Sequence, residues 1–309
     1  MQTIYSFYQG GDSDVSKSEK ELLYSIQKSY ELYFYLFLLG EEVCKYASSV
    51  INSKKQKFLA DENDKNPNFK FVNNKFLAQF RENEDYLRYV NAKKLSWEKY
   101  PEVAKRIFST LEETEEYKAY MSKLDSTYED DKKILSFMYE NVVYDCDLLY
   151  QSLERQSVYW IDTVEFILGM VLKTIERYKQ SYKPDHALPK MFKNDDDREF
   201  VLKLFRKAIA KDEYYRGLVA ENSQNWDIER IAFLDTLILQ IALSEVEAFP
   251  EIPLKVTFNE YIELAKNYST NKSSIFINGV LDKIVSKLLK ENKIKKIAEM
   301  PEMEEKNEE

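Results

Sequence analysis

Apolar residues return every three or four positions along nearly the whole chain, and no stretch keeps the alternation of a half-buried strand. Leu22, Ile26, Tyr30, Phe34, Phe37 and Leu38 mark one face of a long helix running toward Val43. The pattern Ser18-x-x-Glu21 reads as a capping box at its start. From Asn52 to Asn68 the chain turns polar, with Lys54, Lys55 and Lys57 and an Asn66-Pro67 pair, and the spacing predicts a connection. Helical stripes then resume at Phe76, Leu77, Phe80, Leu87 and Val90, and at Val103, Ile107 and Leu111 behind Pro101. Two more follow, at Ile134, Leu135, Met138 and Val142, and at Ile167, Leu168, Val171 and Ile175 behind Asp162-x-x-Glu165. The fold class is all-α.

The proline-containing segment 183–189 closes this half, and the main boundary is drawn just after it. Residues 1–194 form an N-terminal helical region, 195–292 a C-terminal helical core, and 293–309 a charged tail. Asp195, Asp196 and Asp197 stand where a helix N-terminus favours negative charge, ahead of Phe200, Leu204, Phe205 and Ala208. Leu237, Ile238, Ile241, Ala242 and Val246 are apolar on more than one side, as in the central helix of a bundle.

Composition narrows the function classes. With 44% apolar residues, six Gly and seven Pro, the chain is neither disordered nor a loop-rich β protein. No apolar run approaches the roughly 18 residues of a membrane span, and no signal-type segment opens the chain, which predicts a cytoplasmic protein without a membrane partner. Its 45 basic and 54 acidic residues argue against coating duplex DNA, but leave room for a small basic patch on a short single strand. Cys44 and Cys146 read as two reduced core thiols. His186, the one histidine, reads as a solvated loop imidazole. Six glycines cannot build a phosphate-cradling loop, and no metal-ligand spacing occurs, so neither an enzyme nor a cofactor is expected.

The C-terminal third carries Ile252-Pro253-Leu254-Lys255-Val256-Thr257-Phe258-Asn259-Glu260, then Ile262-Glu263-Leu264-Ala265-Lys266. Phe276-Ile277-Asn278-Gly279-Val280-Leu281-Asp282-Lys283-Ile284 follows, and the helix Asp235 to Glu245 precedes them. These ordered blocks, with the short block Gln2 to Ser6, resemble the NusB transcription antitermination family over residues 199–285. The resemblance implies a heterodimer with ribosomal protein NusE that binds boxA-type single-stranded RNA. In that role it would join the RNA polymerase antitermination complex on ribosomal RNA operons. It places Gln2, Tyr5 and Phe276 near the RNA and Asp235 on the partner surface; without the family's basic arm, the remaining basic candidates are Lys255, Lys54, Lys55 and Lys57. Lys272, beside Asn271, falls in a partner-binding loop where relatives often carry an acid.

Two further features depart from the family's compact form. Residues 10–195 are a large helical expansion, read as packing onto the core, with an added interaction surface as the alternative. Met1, Ile4, Tyr5 and Tyr8 follow helical spacing already under way, so Met1 is expected to be an internal methionine preceded by a basic arm. Asn278-Gly279 sits inside a helical pattern, where glycine costs about 1 kcal/mol against alanine, so a close approach by a helix or ligand is expected there. A second functional class stays open, a protein-interaction module of NusB-like fold that does not bind RNA. An RNA methyltransferase is set aside, since in such enzymes the NusB-like block is N-terminal and here nothing catalytic follows it.

Overall fold

The computed structural model describes residues 1–10, 14–55, 67–223, 233–270 and 272–297, and the regular structure among them is helical. Two compact units emerge, one of Met1–Leu23 with Phe192–Glu309, the other of Tyr24–Met191. A boundary at 194/195 cuts the chain once, whereas the first unit is discontinuous. Its opening residues rejoin the C-terminal helices because Ile4 is buried in the same core as Phe205, Ile238 and Ile277.

Helix α1 spans Gln2–Gln9 and α2 spans Val15–Lys55. α2 opens earlier than the Ser18 pattern suggests. The Asp14 carboxylate accepts the Lys17 N–H at 3.1 Å, so this acid takes the N-cap place and Ser18 lies within the helix. The Tyr24–Met191 unit continues with α3 (Lys75–Phe80), α4 (Glu84–Lys93), α5 (Pro101–Leu111), α6 (Glu115–Ser122) and α7 (Tyr128–Phe137). A π-helical turn at Met138–Val143 follows, then α8 (Asp147–Gln156) and α9 (Val164–Arg177). The shorter helices are capped from the sequence. Asn74, Asn83, Thr114 and Thr127 each accept an N-terminal backbone N–H, and Pro101 occupies the first turn of α5.

This unit has a hydrophobic core of its own, centred on α2, where every residue from Glu31 to Gly40 is buried. Aromatic side chains fill it, and three of their polar tips donate to backbone carbonyls, which offsets the cost of burying them. The Trp97 indole donates to the Tyr35 carbonyl at 2.9 Å, Trp160 to Lys28 at 2.7 Å, and the Tyr139 hydroxyl to Leu36 at 2.7 Å. Cys44 and Cys146 are buried free thiols here. His186 is not the solvated imidazole the loop composition suggests. It is half-buried, with its ring stacked on Tyr182 at 3.6 Å between centroids.

The other unit holds α1, the first turns of α2, α10 (Asp195–Ala210), α11 (Asp212–Asn222), α12 (Phe233–Ala248), α13 (Leu254–Tyr268) and α14 (Ser273–Lys290). α10 starts at Asn194, whose side chain accepts the Asp197 N–H at 3.1 Å, with Asp195 to Asp197 in the first turn. α12 is the buried centre, and two of its polar side chains bond to neighbouring helices. Gln240 donates to the Ala208 carbonyl at 2.7 Å, and Glu245 accepts the Tyr261 hydroxyl at 2.9 Å.

Candidate nucleic-acid interface

α1 sorts its side chains by helical position. Ile4 points into the core with Met1 and Tyr8 against it, while Gln2 and Tyr5 are exposed, Tyr5 at 39%. The Tyr5 ring meets Phe233 edge-on at 5.6 Å, and Tyr8 meets the same ring at 6.4 Å. Over this pair lies the Arg216 guanidinium, 5.1 Å from the Tyr8 centroid and 5.5 Å from that of Phe233. Arg216 is oriented by its Nε, which donates to Asp212 Oδ1 at 2.6 Å one turn earlier on α11.

Tyr8 is fixed from below. Its hydroxyl accepts a hydrogen bond from Gln240 Nε2 at 2.7 Å. Burial raises the phenol above its ordinary range, against the lowering effect of the Gln240 bond, so the ring stays neutral at physiological pH. The result is a fixed aromatic cluster with one guanidinium on it and a partly open tyrosine at its edge. Such a surface can stack an unpaired base and offer positive charge to the adjoining phosphate.

Two of the predicted site residues are elsewhere. Phe276 is 5% exposed and packs in the core with Val280 and Ile284, since these three fall on one face of α14 at intervals of four. Its ring therefore has no face for a base. Asp235 is also 5% exposed rather than at the surface. Its two oxygens accept the Ser269 hydroxyl at 2.5 Å and the Ser273 hydroxyl at 2.9 Å, and the two hydroxyls lie 2.9 Å apart. The acid in the first turn of α12 thus clasps the turn between α13 and α14.

Lys272, the residue before α14, is exposed on that turn, and Ile275 is 66% exposed one turn on. Lys255 is exposed in the first turn of α13. Asn278 and Gly279 are exposed too. Lys54 and Lys55 are exposed in the last turn of α2, in the Tyr24–Met191 unit, while Lys57 and Asn271 lie outside the described residues. Arg216 and Phe233 escaped the sequence reading, because only the tertiary fold brings them to Tyr5. Among the described residues no group of three or more His, Cys, Asp or Glu could hold a metal ion, and no helix is long and apolar enough to cross a membrane.

Comparison with known proteins settles the lineage. The NusB family model matches residues 164–286. The transcription antitermination protein NusB of Salinibacter ruber is 37% identical over 113 residues, 36% of this chain and 71% of that protein. The chain belongs to the NusB family. The NusB of Acetivibrio thermocellus is 34% identical over 111 residues, covering 36% of this chain and 77% of the relative. That of Natranaerobius thermophilus is 44% identical over 79 residues, 26% and 54% respectively. No solved structure matches at a significant level. This NusB-family chain is thus longer than its relatives. The family match takes in Asp235, Lys255, Lys272 and Phe276, while Gln2 and Tyr5 precede it.

Proposed function

We propose that the chain is a transcription antitermination factor that binds boxA-type single-stranded RNA together with ribosomal protein NusE, supporting transcription of ribosomal RNA operons. The mechanism has no catalytic step. Each protein contributes a modest RNA surface, and joining them makes the second contact intramolecular, so the pair holds RNA more tightly than either part. The observation that carries this reading is the cluster of Tyr5, Phe233 and Arg216 on a chain of the NusB family. Tyr5 would stack on a base, Arg216 and Lys255 would face phosphates, and Gln2 would reach a base edge. NusE would dock on the turn presenting Lys272, with Asp235 holding that turn in shape from inside.

The test is fluorescence anisotropy of a boxA-type RNA titrated with the chain, alone and with NusE. Tighter binding with NusE, weakened by Tyr5→Ala and by Arg216→Gln, is the expected result. An RNA surface of few phosphates should show a shallow but non-zero dependence on salt. Stable association with NusE but no RNA binding by the pair would refute this reading in favour of a protein-interaction module.

A further inference from the structure

A cleft of about 500 Å³, within the size range of small-molecule sites, opens in the Tyr24–Met191 unit between the end of α9 and the segment that follows it. Its lining includes Lys173, Arg177 and His186 and no carboxylate, in a chain whose acidic residues outnumber its basic ones by 54 to 45. Lys173 and Arg177 stand one turn apart on the same face of α9, where like charges repel. Both are exposed, and neither has an ion pair or a side-chain hydrogen bond among the described residues. This contrasts with Lys28, Lys45, Arg88 and Lys118, each paired with an acid three residues away.

The facing wall is aromatic. Tyr182 and His186 stack at 3.6 Å with their planes 18° apart, and Tyr178 meets them edge-on at 5.2 and 5.6 Å. The segment carrying these rings has no helix of its own, yet it is held along its length. Gln79 Nε2 donates to the Tyr182 carbonyl at 2.7 Å, and Asn83 Nδ2 to that of His186 at 2.7 Å. The Glu84 N–H donates to Pro184 at 2.8 Å, and the Tyr30 hydroxyl to Pro189 at 2.9 Å. Asp85, the acid beside this loop, accepts the Leu188 N–H at 3.1 Å and is paired with Arg88, so its charge is already met. A loop pinned from α2 and α4 and from α3 presents its rings in place, which lowers the ordering cost of binding.

We propose that this cleft binds a nucleotide, with the phosphate between Lys173 and Arg177 and the base along the Tyr182–His186 wall. Two unneutralised cations one turn apart suit an anionic phosphate, and the adjoining aromatic and apolar surface suits a planar ring. The ligand is either a free mononucleotide or one nucleotide of an RNA strand, and the experiment separates them.

Isothermal titration of the full chain would use AMP, UMP, inorganic phosphate and a short oligouridylate, each repeated on the double variant Lys173→Gln/Arg177→Gln. Both positions are solvent-exposed, so the variant should keep its fold, checked by thermal melting. One mononucleotide bound per chain, tenfold or more weaker in the variant and tenfold or more tighter than phosphate, supports a free nucleotide. An oligouridylate affinity that falls tenfold in the variant, with weaker mononucleotide binding, supports an RNA nucleotide; the α1 surface is intact in both proteins and cancels. Absence of binding by mononucleotide and oligouridylate, binding unchanged in the variant, or phosphate binding as tightly as AMP would each overturn the proposal. Tyr182→Ala gives a second check, since it should weaken AMP more than phosphate.

Discussion

Gly40 sits fully buried in the middle of α2, and replacing it with alanine sets two effects against each other. Alanine in a helix interior is favoured over glycine by about 1 kcal/mol. A Cβ at this position, however, would lie 2.7 Å from the Tyr139 hydroxyl oxygen, well inside contact distance. That ring is 1% exposed, on the π-helical turn, and its hydroxyl donates to the Leu36 carbonyl at 2.7 Å. Moving it costs about 1–3 kcal/mol of overpacking and about 1 kcal/mol for the strained hydrogen bond. The clash should win, leaving Gly40→Ala destabilised by about 1–3 kcal/mol. The assay is urea unfolding followed by tryptophan fluorescence in a Trp226→Phe background, so that Trp97 and Trp160, both buried in the Tyr24–Met191 unit, report. Tyr139→Phe removes the clashing atom, and the next atom of that ring is 3.6 Å from the new Cβ, an ordinary contact. In that background Gly40→Ala should become neutral or stabilising by up to about 1 kcal/mol. Gly169→Ala, whose Cβ would meet nothing within 4 Å, should gain the helix term alone. Additive effects of the Gly40 and Tyr139 changes would refute the reasoning.

Tyr5→Ala should weaken RNA binding by roughly 5- to 150-fold, the worth of one base stack, and barely move the urea midpoint. Phe276→Ala should do the reverse, costing about 3–5 kcal/mol of stability as a core truncation. Removing the buried carboxylate in Asp235→Ala should cost about 2–3 kcal/mol and speed amide exchange at Ser269, Thr270 and Ser273, which native-state hydrogen exchange would show. Glu247 supplies a pH dependence. Burial acts to raise its carboxyl, but hydrogen bonds from Lys211, Tyr215 and Lys207 outweigh it and hold it below the usual value. A depressed carboxylate contributes stability above its unfolded pKa and loses it as pH falls through the folded one. Glu247→Gln should therefore flatten the acid limb of the stability curve, and an unchanged limb would show that the three donors do not matter.

The central helix α12 was readable from its residues, because a stretch apolar on more than one side must be covered on each of them. Phe276 shows how an aromatic in a motif can be misplaced. Its spacing to Val280 and Ile284 is the stripe of a buried face, and that stripe stands in the sequence as plainly as the motif does. Asp235 was harder. An acid in the first turn of a helix fits an exposed position as well as a buried one, and what turned it inward lies 34 and 38 residues away at Ser269 and Ser273. The cleft at Lys173 and Arg177 was illegible for the same reason, since Gln79 and Asn83 pin its far wall from about a hundred residues upstream.

The split of one unit into Met1–Leu23 and Phe192–Glu309 sets an order of events during synthesis. Residues 24–191 are contiguous, so that unit can close as soon as it clears the ribosome. Ile4 cannot be buried until Ile238 and Ile277 exist. At ordinary translation rates that wait is roughly ten seconds to a minute. For that interval the apolar face of α1 stays uncovered, and a helix made long before its partners is among the last to find its place.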